Sequence, residues 1–211
     1  MYSVITIGRQ FGSGGRQVGK LLAEKWQIPY YDKEILALAA KESGIGAELF
    51  ESHDEKPTKS LLFSLVMGMQ FRESPGEFYM DMPINHKIFL AQFDTIRRIA
   101  SQGPCVIVGR CADYVLRDNP RAVNIFIHAP LKDRVKRAVE VYQVPEDKAE
   151  ETVLKTDKQR ASYYNYYATG KWGQVENHHL SIDSAAVGIE GAAEIVASFV
   201  TAREALQKAE A

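Results

Sequence analysis

Residues 3–26 read SVITIGRQFGSGGRQVGKLLAEKW, and this stretch decides the fold that we expect for the chain. The run 3–8 is short, rich in β-branched residues and followed by turn-forming residues, which predicts a buried strand. Three glycines follow within residues 12–15. Apolar residues then recur at helical spacing over 17–26. The stretch therefore predicts a strand, a glycine loop and a helix in direct succession.

A glycine loop at this position is a physical site for anions. Glycines let backbone N–H groups converge on phosphate oxygens, and the N-terminus of the following helix adds partial positive charge. Glycines alone are equally compatible with a flexible turn between strand and helix. The flanking residues Arg9 and Arg16, together with arginines later in the chain, favour a phosphate-binding loop.

Short apolar segments alternate with helical patterns along the rest of the chain. The sequence predicts strands at 29–32, 105–109, 123–128 and 179–183, and helices over 33–41, 85–102, 131–142, 146–167 and 188–207. Uninterrupted apolar strands between helices are typical of a parallel sheet that is covered on both faces. We therefore expect an α/β fold of three layers, with a five-stranded parallel sheet and helices on both faces.

Residues 43–84 differ in composition from their surroundings. They contain seven glycines and prolines and four of the five methionines, and they predict an irregular insertion with one apolar helix near 59–71. Such a segment suits a mobile subdomain that closes on an acceptor. It equally suits the surface of a homodimer, because methionine side chains adapt to irregular gaps.

Length, composition and charge restrict the function. The chain has 211 residues, of which 45% are hydrophobic and 25% are charged, which suits one globular domain with a substantial core. The formal net charge of −1 disfavours DNA or RNA as the main partner. Cys105 and Cys111 do not make a disulfide framework, and the five histidines lack metal-binding spacing, so we expect no metal held by the protein. The sequence shows neither a secretory signal nor an apolar run approaching about 18 residues, which predicts a cytoplasmic protein without a membrane partner.

Several motifs beyond the glycine loop carry a resemblance to a known family. They are Ile5–Lys25, Tyr31-Asp32, Gly109–Asp113, Arg134 with Arg137, Asp157 with Arg160, and Ile182–Ser184. With these motifs the chain resembles the cytidylate kinase-like family of P-loop nucleoside monophosphate kinases, in a divergent branch whose loop reads Gly-Ser-Gly-Gly-Arg. The resemblance implies one P-loop kinase-like domain over 1–211, with an acceptor-side insertion at about 43–84 and a lid at about 142–175. It also implies ATP and Mg²⁺ as cofactors, nucleotides as partners and a CMP-like acceptor.

The glycine loop departs from the Walker A pattern Gly-x-x-x-x-Gly-Lys-Ser/Thr. In an alignment with the family's loop, Arg9 stands at the first glycine, Gly15 at the lysine and Arg16 at the Ser/Thr position. The lysine that reaches the β and γ phosphates and the hydroxyl that binds Mg²⁺ are therefore both replaced. A guanidinium supplies the charge of the lysine with a different geometry. Arg16 is the first candidate for this replacement, Arg9 the second and Lys20 the third.

The resemblance assigns three groups of site residues. The expected catalytic residues are Arg16, Arg134, Arg137, Asp157 and Arg160. The expected phosphate- and ATP-binding residues are Arg9, Gly12, Ser13, Gly14, Gly15, Arg16 and Gln17. The expected acceptor-binding residues are Tyr31, Asp32, Arg110 and Asp113. Arginines from several elements suit phosphoryl transfer, which chiefly requires positioning and the neutralisation of developing charge.

Each group also has an ordinary structural interpretation. Arg134 and Arg137 have the spacing of a solvated basic helix face, and Asp157 and Arg160 have that of an i,i+3 ion pair. The acceptor-side carboxylates also suit helix caps or local salt bridges. The tyrosine-rich run 163–167 suits the packing of a helix onto the core better than stacking on a base. The sequence thus favours a nucleotide kinase, and it leaves open a nucleotide-binding module without turnover or a kinase for another small metabolite.

Overall fold

A five-stranded parallel sheet forms the centre of the protein. The structure, a computed structural model, describes residues 2–55 and 83–209. The strands are β1 (Val4–Arg9), β2 (Tyr30–Tyr31), β3 (Cys105–Val108), β4 (Ala122–His128) and β5 (Leu180–Asp183). They pair in the order β2-β3-β1-β4-β5, and each pairing is parallel. The predicted α/β fold with its five-stranded parallel sheet is confirmed.

Helices connect the strands and cover the sheet. They are α1 (Gly15–Trp26), α2 (Glu34–Ser43), α3 (Ala47–His53), α4 (Ile84–Gln102), α5 (Ala112–Val115), α6 (Leu131–Glu140), α7 (Glu146–Tyr167) and α8 (Ser184–Ala209), with a 3₁₀ turn at Val175–Asn177. Each helix predicted within the described ranges is present to within a few residues. The short helices α3 and α5 were not predicted, because neither is long enough to show a helical period. The helix predicted near 59–71 lies outside the described residues.

Two helix ends differ from the sequence-based prediction for reasons visible in the backbone. α6 ends at Glu140 rather than at 142, and the chain then turns through Gln143, whose φ is 54°. α8 begins at Ser184, four residues before the predicted start, where Ala185 N–H donates to the Asp183 carboxylate at 2.9 Å. At Gly188 a non-helical φ of 74° interrupts α8. The glycine that was predicted to start this helix therefore marks a break inside it.

β1 is the central strand and is buried on both faces. Ile5 and Ile7 pack into a core cluster with residues of α1 and α8, such as Leu22. Val4 packs on the opposite face with residues of β3 and α4, such as Ile96. The alternation of side chains along a strand accounts for this division. The end of β1, and the glycine loop after it, consequently lie between β3 and β4 in the middle of the carboxyl edge.

The glycine loop needs glycine at two positions for steric reasons. Gly12 and Gly14 have φ values of 79° and 80°, a left-handed conformation that other residues rarely adopt. A Cβ atom on Gly12 would lie 2.4 Å from the carbonyl oxygen of Arg134 on α6. A Cβ atom on Gly14 would contact Cδ1 of Ile189 on α8, the movable end of a side chain, so the left-handed backbone is the stronger reason for glycine there. The loop is therefore packed closely between α6 and α8.

The closing helix, α8, is long and apolar. Its 26 residues would suffice by length and composition to cross a membrane, with a mean hydropathy of 1.4 over an 18-residue window. In the structure, Val196 and Val200 are buried in the core cluster of the sheet. Farther along α8, Glu204 accepts hydrogen bonds from the backbone N–H and the hydroxyl of Ser3, at 3.0 and 2.7 Å. α8 thus packs one face against the core of the sheet.

Substitution of Gly12 with alanine tests the close fit of the loop. We expect the free energy of unfolding to fall by about 2–5 kcal/mol, because left-handed strain and the contact with the Arg134 backbone add together. Urea unfolding followed by circular dichroism measures the loss.

Gly44→Ala is the matched control for this experiment. Gly44 also has a left-handed φ, 71°, but nothing lies within 4 Å of its added Cβ atom. This variant should lose only about 1–2 kcal/mol, the strain of the backbone alone. Equal losses in the two variants would show that the loop does not press against α6.

Candidate active site

Hydrogen bonds fix the glycine loop to its neighbours. Gln10 N–H donates to the carbonyl oxygen of Ile127 at 3.1 Å, and Ser13 Oγ lies 2.9 Å from the same oxygen. Ser184 Oγ donates to the carbonyl oxygen of Ser13 at 2.6 Å. The Ser13 hydroxyl is therefore engaged by the protein's own backbone. By contrast, the N–H groups of Gly15–Gln17, in the first turn of α1, have no acceptor within the helix and are suited to bind an anion.

A cavity of about 50 Å³ lies beside the loop. Its walls include the glycines of the loop together with Arg9, Arg16, Tyr142 and Arg160. The structure thus brings the expected phosphate-binding arginines together with the arginine expected in the lid. Guanidinium groups beside free backbone N–H groups are a suitable environment for phosphate.

A carboxylate, Glu55, joins two of these arginines. Arg9 is 6% exposed, and its two terminal nitrogens donate to the two oxygens of Glu55 at 2.7 and 3.3 Å. Arg160 on α7 donates from Nε to Oε2 of Glu55 at 3.1 Å, and the backbone N–H of Arg110 lies 3.3 Å from Oε1. Burial by itself raises the pKa of Glu55, but the charges of Arg9, Arg160 and Arg110 outweigh it and hold this pKa well below its usual range. Glu55 is therefore ionised.

Arg110 lies at the centre of a second set of ion pairs. Its guanidinium is buried and pairs with Asp32 at 3.2 Å and with Asp54 at 2.9 Å. Asp32 also pairs with Arg16, at 2.5 Å. Three successive residues from Gly109 have positive φ values, 77°, 56° and 54°. Strained backbone of this kind persists where the surrounding contacts hold it, and here it lets the Arg110 side chain reach Asp32 at the end of β2.

Arg134 and Asp157 connect α6, α7 and the glycine loop. Arg134 Nη1 lies 2.5 Å from Oδ2 of Asp157, and Phe11 N–H donates to Oδ1 at 2.7 Å. Arg134 Nε also donates to the carbonyl oxygen of Ala129 at 2.9 Å. Burial raises the pKa of Asp157, and the Phe11 N–H and Arg134 offset part of that rise. Asp157 thus pairs with Arg134 on another helix, while Arg160 pairs with Glu55.

Three further expected site residues make contacts around this centre. Arg137 donates to Oε1 of Gln17 at 3.2 Å, next to the glycine loop. Asp113 accepts a hydrogen bond from the Tyr164 hydroxyl at 2.7 Å, and burial raises the pKa of Asp113. Tyr31 is half-buried and packs against the core cluster that lies between the sheet and α4. The roles of these residues in binding or catalysis stay predictions.

The tyrosine-rich end of α7 packs into the protein. Three of its tyrosines are buried together with side chains from α4 and from the turn before α5. This cluster contains Phe89, Cys111, Tyr163, Tyr164 and Tyr167. The rings of Phe89 and Tyr167 stack with their centroids 3.9 Å apart. The packing interpretation of the run 163–167 is confirmed, and it places Arg160 on a helix whose end is anchored in the core.

Asp54 and Glu55 belong to the site, although no pattern in the sequence indicated them. Both follow α3, inside the segment assigned to the insertion. Glu55 is 46 residues from Arg9 and 105 from Arg160, and Asp54 is 56 from Arg110. Residues this far apart in the chain share no spacing or helical period that would reveal their contact. The available cue was the adjacency of two acidic residues in a chain whose expected site is rich in arginine.

Clustered metal-ligating side chains and a hydroxyl in the loop are the features that a Mg²⁺ site of the Walker type would use. Within residues 2–55 and 83–209, no group of three or more His, Cys, Asp or Glu side chains is arranged to hold a metal ion. The Ser13 hydroxyl lies 2.8 Å from the carbonyl oxygen of Gln10, in addition to its contact with β4. The hydroxyl that lies in the loop therefore does not suit the role of the Walker hydroxyl.

Comparisons with known proteins identify relatives of the chain. The model of the cytidylate kinase-like family matches residues 4–186, whereas no curated protein sequence matches the chain. The crystal structure of an uncharacterized protein from Eubacterium ventriosum is 29% identical, with a TM-score of 0.68, over 94% of this chain and 98% of that one.

Two shikimate kinase structures share the fold at lower identity. The enzyme from Bacteroides thetaiotaomicron is 12% identical, with a TM-score of 0.56, over 95% of this chain and 99% of that one. The enzyme from Acinetobacter baumannii, in complex with shikimate, is 14% identical, with a TM-score of 0.50, over 96% of this chain and 94% of that one. At these identities the likeness concerns the fold alone.

The ion pairs of Glu55 make stability depend on pH in a defined direction. The pKa of Glu55 in the folded protein lies below its ordinary value of 4.5, which applies to the unfolded chain. The unfolded chain therefore binds more protons as the pH falls, and the stabilisation by Glu55 is present at neutral pH and lost on acidification. We expect the free energy of unfolding to fall more steeply from about pH 5 to about pH 3 in the wild type than in Glu55→Gln.

Urea unfolding across this pH range checks the expectation. Glu51→Gln is the control, because Glu51 lies on α3 and is exposed. It should keep the pH dependence of the wild type. Identical pH dependence in Glu55→Gln and the wild type would contradict the assignment of Glu55 as an ionised, stabilising partner.

Proposed function

The chain belongs to the cytidylate kinase-like family, and from this membership we propose that it is a phosphotransferase that moves the γ-phosphoryl group of ATP to a small acceptor. The observation that carries the proposal is the cavity in which Arg9, Arg16 and Arg160 meet beside the N-terminus of α1. Backbone N–H groups that hold phosphates, and cations that neutralise developing charge, are what phosphoryl transfer requires of a protein.

The donor side of the proposed site is the glycine loop. Backbone N–H groups between Gly12 and Gln17, with Arg16, would hold the phosphates of ATP. Arg160, Arg134 and Arg137 would neutralise the transferred group. Two observations support these roles: Arg137 contacts Gln17, and Arg160 lines the cavity beside the loop. Residues 142–175 would act as a lid over this side.

The acceptor side of the proposed site is the buried pair of Arg110 and Asp32, with Tyr31 and Asp113 nearby in the chain. We propose a CMP-like nucleoside monophosphate as the acceptor, on the strength of the family. A guanidinium such as that of Arg110 suits a phosphate, and a carboxylate such as that of Asp32 suits a sugar hydroxyl or an amino group of a base. Residues 43–84 would contribute the rest of the acceptor side.

Mg²⁺ would enter this site together with ATP. When bound, it would help to neutralise the negative charge of the phosphates. Since the described residues do not offer it a set of ligands, phosphate oxygens and water would hold it. No step of the proposed reaction is assigned to a metal held by the protein.

A nucleotide-binding module without turnover is the second candidate. Gly15 occupies the position of the Walker lysine, which favours this alternative. In addition, Arg9, Arg16 and Arg160 are already paired with carboxylates of the chain. The two candidates differ in whether the unmodified protein releases ADP.

Arg16→Ala tests the proposed kinase and its replacement for the Walker lysine. We expect kcat to fall by about a hundredfold or more, the scale of one charge partner in the transition state, with a smaller change in the Kd for ATP. Arg160→Ala should behave alike. A coupled ADP-release assay, with CMP, other nucleoside monophosphates and small hydroxylated metabolites as acceptors, measures kcat, and calorimetry measures Kd.

Lys136→Ala is the control, because Lys136 lies on α6 with a side chain that is 72% exposed. It should keep the kcat of the wild type. Binding of ATP without ADP release in the presence of any of these acceptors would favour the module without turnover. If Arg16→Ala turned over normally, the cation that replaces the Walker lysine would come from Arg9, Lys20 or the lid.

A further inference from the structure

We propose that the Glu55 carboxylate occupies an oxyanion subsite, which a phosphoryl group of the substrate takes over when it binds. The guanidinium groups of Arg9 and Arg160 and the backbone N–H of Arg110 form this subsite. The inference rests on the proposed function, since it gives a position to a phosphoryl group of the same reaction. Glu55 would thus compete with the substrate's phosphoryl group for these hydrogen-bond donors.

The geometry around Glu55 is that of a bound anion. Four N–H groups from three separate elements converge on its two oxygens, at distances of 2.7 to 3.3 Å. They come from the end of β1, from the turn after β3 and from α7. Charge-assisted, bidentate contacts from guanidinium are the contacts that proteins also use for phosphate. A phosphoryl group placed here would therefore meet the same donors.

The subsite adjoins the glycine loop. Arg9 and Arg160 line the cavity beside the loop, and both also line a second cavity of about 20 Å³ that includes Glu55. The two arginines thus form a wall that is shared by the two spaces. A phosphate chain held by the loop would reach the guanidinium groups that now bind Glu55.

The charge balance favours exchange of one anion for another. Four guanidinium groups face three carboxylates in this region; they belong to Arg9, Arg16, Arg110, Arg160, Asp32, Asp54 and Glu55. A phosphoryl dianion added to this set would leave the region with excess negative charge. If Glu55 withdraws, the remaining two carboxylates and the dianion balance the four guanidinium charges. Within the part of the chain that the structure describes, the buried Nε atoms of Arg9 and Arg110 have no hydrogen-bond acceptor, so donors for a larger anion are present.

The backbone of Glu55 is consistent with a displaceable group. Its φ is 50°, a left-handed value that is rare for residues other than glycine and asparagine. A side chain that is held by ion pairs while its backbone is strained gains backbone freedom when it is released. The turn after β3 packs closely against the Glu55 side chain, since a Cβ atom on Gly109 would lie 2.5 Å from Oε1 of Glu55.

Glu55→Gln tests the subsite, because it removes the charge and keeps the size of the side chain. Calorimetry with two probes gives the Kd values: tripolyphosphate represents the donor phosphates, and CMP represents an acceptor phosphate. We expect the Kd of at least one probe to fall about tenfold or more relative to the wild type, the scale of hydrogen bonds to a charged group. Tightening with tripolyphosphate alone assigns the subsite to the donor, and tightening with CMP alone assigns it to the acceptor.

Two further variants separate the subsite from a general effect of charge. Glu51→Gln makes the same change of charge at an exposed position of α3 and should bind both probes like the wild type. Addition of Arg160→Gln to Glu55→Gln should remove the gain in affinity. Unchanged or weaker binding of both probes by Glu55→Gln overturns the proposal, and so does an equal gain in Glu51→Gln. Glu55 would then serve only to hold Arg9 and Arg160 together.

Hydrogen–deuterium exchange of the wild type gives a test that does not depend on the folding of the variant. Backbone amides of residues 47–55 should exchange faster with saturating tripolyphosphate or CMP, because displacement of Glu55 releases the end of α3. Unchanged exchange with both probes bound overturns the proposal, as does the failure of the wild type to bind either probe. These experiments measure no turnover, so a failure of the ADP-release assay contradicts the kinase and leaves the subsite unaffected.

Discussion

The burial of guanidinium groups is the constraint on which the site depends. Arg9 and Arg110 are 6% and 2% exposed, and a buried cation is stable only when anions lie close to it. Burial by itself lowers the pKa of Arg9, but Glu55 reverses that effect, so the group keeps its charge. The need for counter-charges brings the residues after α3 and the end of β2 to one place, and Arg160 of α7 shares the Glu55 carboxylate with Arg9. Ion pairs thus join these elements at the site itself, while the tyrosine-rich end of α7 is held by apolar packing.

Apolar packing supplies the platform on which those charges are arranged. β1 is buried on both faces, so the loop that follows it lies at the centre of the carboxyl edge of the sheet. Close contact between Gly12 and the Arg134 backbone fixes the distance from the loop to α6. Asp157 then connects α7 to both through Arg134 and Phe11. A movement of α7 away from the loop has to break these contacts together with the pairing of Arg160 and Glu55.

A site whose cations are paired inside the protein binds anions differently from one whose cations are free. In the proposed site, a phosphate that approaches would have to replace carboxylates of the chain, so its own contacts would be offset by the ion pairs that it breaks. Only a ligand that makes more contacts than the internal carboxylates would gain net affinity. The internal pairing would therefore favour ligands with several charged groups over a single small anion.

The sequence by itself determined the α/β fold, the glycine loop and the arginines around it. These features depend on local signals: apolar runs of strand length, helical periods, closely spaced glycines and charged residues just after strands. It also indicated that the tyrosines of α7 pack into the core. Only the tertiary structure decided the partners, since it joins Arg9 and Arg160 through Glu55, and Arg134 to Asp157. Such pairs depend on how separate elements pack together, and residues 23 to 105 positions apart in the chain share no local pattern that would reveal their contact.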